Sequence, residues 1–157
     1  MQGKPIRRHQ HLVPFSQDHH NGLMVVLLVK KGLKKAVQPE RLSKFICWFF
    51  ENGLEAHLQE EERLLFPMLS AASEMLHRLE QEHALMRQMA ARLSALPVDL
   101  TTINQFANLL EGHIRYEERT VYHYLQSNCL AQLEQLPQKQ TATACVAAAV
   151  WPDHFWE

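Results

Sequence analysis

Two register-matched blocks constrain this chain more than anything else in it. His57–Pro67 reads H-L-Q-E-E-E-R-L-L-F-P, and His113–Tyr122, 56 positions on, reads H-I-R-Y-E-E-R-T-V-Y. Aligned on their histidines, both carry Glu at +4 and +5, Arg at +6 and an aromatic at +9. In a helix, residues four apart sit one above the other on the same face. Each block therefore aims an imidazole and a carboxylate, His57 with Glu61 and His113 with Glu117, at a common point. One such pair is ordinarily a surface hydrogen bond. Two matched copies set among large apolar residues point to a metal site, because buried charge needs a partner or a cation.

Apolar residues at the helical period place these blocks on two of four predicted helices, at about 17–36, 40–66, 71–95 and 100–127. Ser16 is the expected N-cap of the first helix, where His19 lies near the middle of the apolar stripe and His20 on its flank. Pro39 suits the first position of the second helix, and Gly53 interrupts that helix as a kink or a close contact. On the third, His83 lies four after Leu79 and three before Met86, so it points inward. Asp99 caps the fourth, which carries His113 and Glu117 on the face of Phe106 and Leu110. Helices of this length with short connections predict an all-α fold, an up-down-up-down four-helix bundle over residues 16–130. Residues 1–15 read as an irregular arm with His9 and His11 in solvent. Residues 131–157 read as a short C-terminal extension, with Trp151, Phe155 and Trp156 packing on the bundle. His77, His123 and His154 fall off the inward faces. Asp18-His19 and Glu82-His83 echo each other at a spacing of 64, as two helix-pair halves would.

Composition narrows the function. The chain has 157 residues, enough for one domain with a real core, and its net charge of -1 comes with no basic stripe, so nucleic acid is not an expected partner. No apolar run reaches the roughly 20 residues of a membrane span, and no signal peptide opens the chain. Cys47, Cys129 and Cys145 form no C-x-x-C pair, which suits a reducing, cytoplasmic setting and argues against a thiolate metal site. No feature sets an oligomeric state. Four imidazoles and two carboxylates suit iron, manganese or zinc. Glu61 and Glu117 can each bridge two metals or bind one. Glu62 and Glu118 point aside, placed to accept the free ring N–H of a histidine or to pair with Arg63 or Arg119. The H-E-x-x-H pattern of zinc proteases is absent.

D-H-H-N-G-L, H-L-Q-E-E-E-R-L-L-F-P, E-H-A-L-M-R and H-I-R-Y-E-E-R together resemble the hemerythrin-like family, the HHE cation-binding domain, over about residues 16–126. The resemblance implies a four-helix bundle around a non-haem di-iron centre. Members bind dioxygen reversibly, sense oxygen, iron or redox state, or handle nitric oxide and peroxide. Carried over, the ligands are His19, His57, Glu61, His83, His113 and Glu117. The family's oxygen carriers have a second histidine four residues away on the third helix, where this chain has Leu79 and Arg87. They also have Asp at +5 on the fourth helix, where this chain has Glu at +4. Glu80, His20 or water is left to fill the gap. The expectation is a di-iron protein that binds or senses a small diatomic or peroxide ligand. The alternatives are a di-iron redox enzyme and a helical interaction module with a structural metal.

Overall fold

A computed structural model describes residues 7–137 and 148–157, with the backbone alone at Ala149. No strand occurs among the described residues. The chain makes four long helical runs. The first is α1 (Val13–Lys34). The second joins α2 (Pro39–Phe49) to α3 (Glu55–Leu64) through a π-helical turn at Phe50–Leu54. Next comes α4 (Ser73–Leu93). The fourth run joins α5 (Leu100–Tyr116) to α6 (Tyr122–Asn128) through a second π turn at Glu117–Val121. A short α7 (Leu130–Glu134) follows. Neighbours in contact are α1 with α2 and α5, and α4 with α2 and α5.

The local signals explain most boundaries. Asp99 caps α5 by accepting from the Thr101 amide at 3.0 Å. Pro39 opens α2. The interruption expected at Gly53 is the first π turn, where one wider turn shifts the helical phase before His57. Two expectations fail. Ser16 does not cap α1, because Pro14 starts the helix at Val13 and the Ser16 amide already bonds Leu12 O at 3.0 Å. The end of the arm is therefore helical and docked, with Leu12 and Phe15 fully buried. His9 and His11 are half-buried rather than solvated, and His11 Nδ1 lies 2.6 Å from Leu133 O.

Two apolar cores form. One gathers Val25, Val29, Phe45, Phe49, Met86, Phe106 and Leu110, and the other Leu12, Phe15, Leu65, Leu69, Leu79, Val121 and Leu125. Burying each such side chain contributes about 1.5–3 kcal/mol. Along every run the inward histidine falls between a stretch of one core and a stretch of the other. In α1 and α4 the second core comes first. In the two π-broken runs it comes last.

The C-terminal aromatics Trp151, Phe155 and Trp156 pack on the first core. Phe155 is buried against Phe45 with ring centroids 5.3 Å apart, and Arg41 holds Asp153 with contacts of 2.9 and 2.6 Å. The short helix expected just before Trp151 lies mostly outside the described residues, as does Cys145; Ala148–Val150 forms a 3-10 turn. Gly32 makes the close approach possible. A Cβ there would collide with Leu42 Cδ2 and meet the Phe155 ring at 2.9 Å. Gly32→Ala is expected to lower stability by about 1–3 kcal/mol, the usual cost of overpacking. Urea unfolding checks this, and unchanged stability would mean that Phe155 does not seat there. No described helix is long and apolar enough to cross a membrane.

Candidate metal centre

Each helical run delivers one buried histidine to the layer between the cores: His19, His57, His83 and His113. The two π-broken runs add Glu61 and Glu117, also fully buried. All six residues singled out from the sequence meet here. Glu61 stands at the middle. Its Oε1 lies 2.8 Å from His57 Nε2 and 3.4 Å from His19 Nε2, and its Oε2 lies 3.2 Å from His83 Nε2. Glu117 Oε1 contacts His113 Nε2 and lies 3.9 Å from His19 Nε2. Donor atoms within 4.8 Å of one another fall into two groups, His19–His57–Glu61 and Glu61–His83–His113–Glu117. Glu61 belongs to both.

The ring nitrogens turned outward are also organised. His19 Nδ1 meets Glu118 at 2.7 Å, His57 Nδ1 meets Asp18 at 2.9 Å, and His83 Nδ1 meets Glu62 at 2.8 Å. His113 Nδ1 faces Glu82 at 3.7 Å. Each carboxylate comes from the neighbouring run, so the four pairs close a cycle around the bundle. A carboxylate on Nδ1 fixes the tautomer and leaves Nε2 as the inward donor. Glu62 and Glu118 thus do what their position beside Glu61 and Glu117 suggested. The arginines that hold them differ from the expected ones. Glu62 is held by Arg87 and Glu118 by Arg8, while Arg63 pairs with Glu60.

Electrostatics follow from this crowding. Burial works against charge on His19, but the bonds to Glu118 and Glu61 and the charge of Glu117 raise its pKa to about 9. On His113 burial is likewise outweighed, chiefly by Glu117, and the pKa rises to about 10. Burial also opposes ionisation of Glu61, yet the facing histidines hold its carboxyl well below the usual range. Burial and the Glu61 charge push Glu117 up.

Inward-facing atoms supply the test for a cation. Glu61 Oε2, His83 Nε2, His113 Nε2 and Glu117 Oε1 are buried and close together, yet make no well-formed hydrogen bond. Buried polar atoms are nearly always paired, and unpaired ones call for a missing ion or water. These atoms crowd within 4.8 Å of one another, and such a set of nitrogen and oxygen donors fits a divalent cation.

The sequence pattern of the Hemerythrin HHE cation binding domain matches residues 12–125, most of the chain. The chain belongs to the hemerythrin HHE family. Comparison with curated proteins gives no match, and comparison with solved structures gives none. Within the HHE fold, this chain's third helix offers one inward histidine. Leu79 is buried in the second apolar core, and Arg87 turns out to Glu55 and Glu62. Neither Glu80 nor His20 fills the gap, because both side chains are exposed. His77 and His123 are exposed too, and His154 pairs with Glu157 at the far C-terminus.

Reading along the sequence missed three participants. Asp18 and Glu82 were visible only as an echo beside their histidines. Tyr122 was visible only as the aromatic at +9. Its hydroxyl is fully buried, donates to Glu61 Oε1 at 3.3 Å and lies 3.5 Å from His19 Nε2. Burial and the surrounding carboxylates raise its pKa well above 10, so it stays a neutral donor.

Proposed function

We propose that this chain holds two cations, of which iron fits best, in one centre, and that the centre binds or senses a small ligand such as dioxygen, nitric oxide or peroxide. The observation that carries this reading is Glu61, whose two oxygens face two donor groups at once. His19 and His57 complete one half, and His83, His113 and Glu117 the other. Zinc or manganese would accept the same donors. When bound, an iron pair supplies reversible oxidation and open positions for a small ligand. The chain's residues do the rest. The outer carboxylates orient the imidazoles, Tyr122 holds Glu61 Oε1, and the two cores exclude water. Alternation of the cores along successive runs supports the up-down-up-down bundle. Cys47 and Cys129 carry free thiols, which supports a reducing, cytoplasmic setting.

Tight packing around the donors supports a small ligand over an organic substrate. The cavity beside His19, His57 and His113, walled by Phe49, Leu110 and Ile114, measures about 10 Å³. One water needs about 10–15 Å³ on the same measure. Two grooves of about 540 and 550 Å³ lie outside the donor layer, one against Cys47, Trp48 and Trp151 and one against Glu62, Phe66 and Arg87, and none of the six donors borders either. Anaerobic reconstitution with ferrous iron, with metal counted per chain and the visible spectrum followed as air enters, tests the proposal. Two irons per chain and a new band near the ultraviolet edge are expected. One tight zinc and no response to air would overturn it.

The same geometry sets a pH dependence. In the metal-free protein His19 and His113 stay protonated up to about 9 and about 10, so a cation must displace their protons. Apparent metal affinity is expected to climb from pH 6.5 to 9, with proton release. Calorimetry in buffers of different ionisation enthalpy measures both, and a flat profile would count against these rings as donors.

A further inference from the structure

The His19 corner is completed from outside the four helical runs. Glu118, the partner of His19, is gripped by Arg8, which lies in the irregular stretch before α1. Arg8 Nη2 donates to the Glu118 carboxylate at 2.8 Å and to its carbonyl at 3.1 Å, and Nη1 donates to Gln126 Oε1 at 3.0 Å. The guanidinium also sits 5.1 Å from the centre of the Tyr122 ring. Gln126 ties the same stretch down a second time, donating to Arg7 O at 2.9 Å.

The opposite corner has the same contact from a different source. Glu62, the partner of His83, is gripped by Arg87 at 2.7 Å, and Arg87 stands four residues after His83 on α4. The residue four after His19 on α1 is Leu23. Helix α1 thus lacks the arginine that α4 supplies, and the arm provides it. One arrangement reached from two unrelated chain positions argues for a role, since isolated surface ion pairs contribute little by themselves. The two arginines also differ in how they can leave. Arg87 is built into a helix. Arg8 is held by its side-chain contacts in a stretch with no regular structure, and such segments open at the low end of the free-energy range.

We propose that Arg8 is a positioning residue that acts through Glu118, and that docking of the arm through it keeps the His19–His57 half of the centre closed while the His83–His113 half is closed by α4 itself. Exchange of a cation with solvent then runs through the His19 corner. The statement about cations rests on the two-cation reading above; the statement about closure does not.

Hydrogen exchange in the metal-free protein tests closure alone. In Arg8→Ala the amides of residues 18–22 and 117–122 are expected to exchange about tenfold faster, the scale of losing one hydrogen bond to a charged group from the local opening free energy, with residues 81–87 unchanged. Arg8→Lys, and Leu23→Arg added to Arg8→Ala, are expected to restore protection. Unchanged exchange at 18–22 and 117–122, or a matching rise at 81–87, would overturn the proposal. Zinc-loaded protein challenged with a chelator supplies the second measurement. One of two ions should leave about tenfold faster from Arg8→Ala. If exchange behaves as expected but the unaltered protein holds fewer than two ions, the two-cation reading falls and the latch stands.

Discussion

Glu61→Gln is expected to strip metal from both halves of the centre at once. Glutamine keeps the volume of a side chain with no exposed surface, so the bundle should stay folded. It removes the negative charge and replaces one inward oxygen by an N–H donor, which cannot ligate a cation. Because Glu61 serves both donor groups, neither His19–His57 nor His83–His113–Glu117 keeps its set. The loss should exceed the 10–100-fold typical of outer partners. Glu117→Gln makes the control, since Glu117 belongs to one group only and its loss should leave about one ion per chain. Glu61→Ala with Glu117→Ala should bind none while remaining helical. Metal analysis after dialysis, beside far-ultraviolet circular dichroism, reads all three variants. Two tightly held ions in Glu61→Gln would end the assignment of Glu61 as the shared ligand.

Removing the cations should cost the fold much of its thermal stability. A cation at about a thousand times its dissociation constant stabilises the folded state by about 4 kcal/mol. For a chain of this size each kcal/mol moves the melting temperature by about 2–4 °C, so chelation should lower it by about 8–16 °C for each cation held. The difference should widen with alkalinity. His19 and His113 have pKa values raised above 6.5, so their protonated contacts stabilise the metal-free fold below that value. That contribution fades as pH rises through about 9 and about 10, whereas Nε2 of a loaded ring carries no proton to lose in that range. Scanning calorimetry of loaded and chelated protein at neutral and alkaline pH measures the gap. Equal melting temperatures would show that these donors hold no cation in the folded state.

The helices and the six inward residues were legible in the sequence because both rest on the helical period. Spacing of four says that His57 faces the same way as Glu61, and apolar neighbours say which way that is. His19 was the hardest of the six to separate from its neighbour, because α1 is apolar on nearly every side, yet His20 lies in solvent. What the period cannot carry is contact between runs. Asp18 serving His57, and Glu82 facing His113, depend on how helices sit side by side. Arg8 was read as part of a solvated arm for the same reason, since its partners Glu118 and Gln126 lie more than a hundred positions away. Ser16 shows the opposite failure. Its chemistry suits a cap, but Pro14 and the buried Leu12 and Phe15 draw the helix past it.

The cycle of histidines and carboxylates has a mechanical side. Apolar helices in a bundle can slide past one another by a turn, about 5.4 Å, and find almost equivalent packing. Here each run holds its two neighbours by a polar contact on either side. Sliding any one run by a turn would part it from both, stranding buried imidazole and carboxylate groups in an apolar interior. The site therefore keys the axial alignment of all four runs, as a lone buried asparagine does for a coiled coil. Such a bundle would assemble in one alignment before any cation arrives, with the ligands already at the same height.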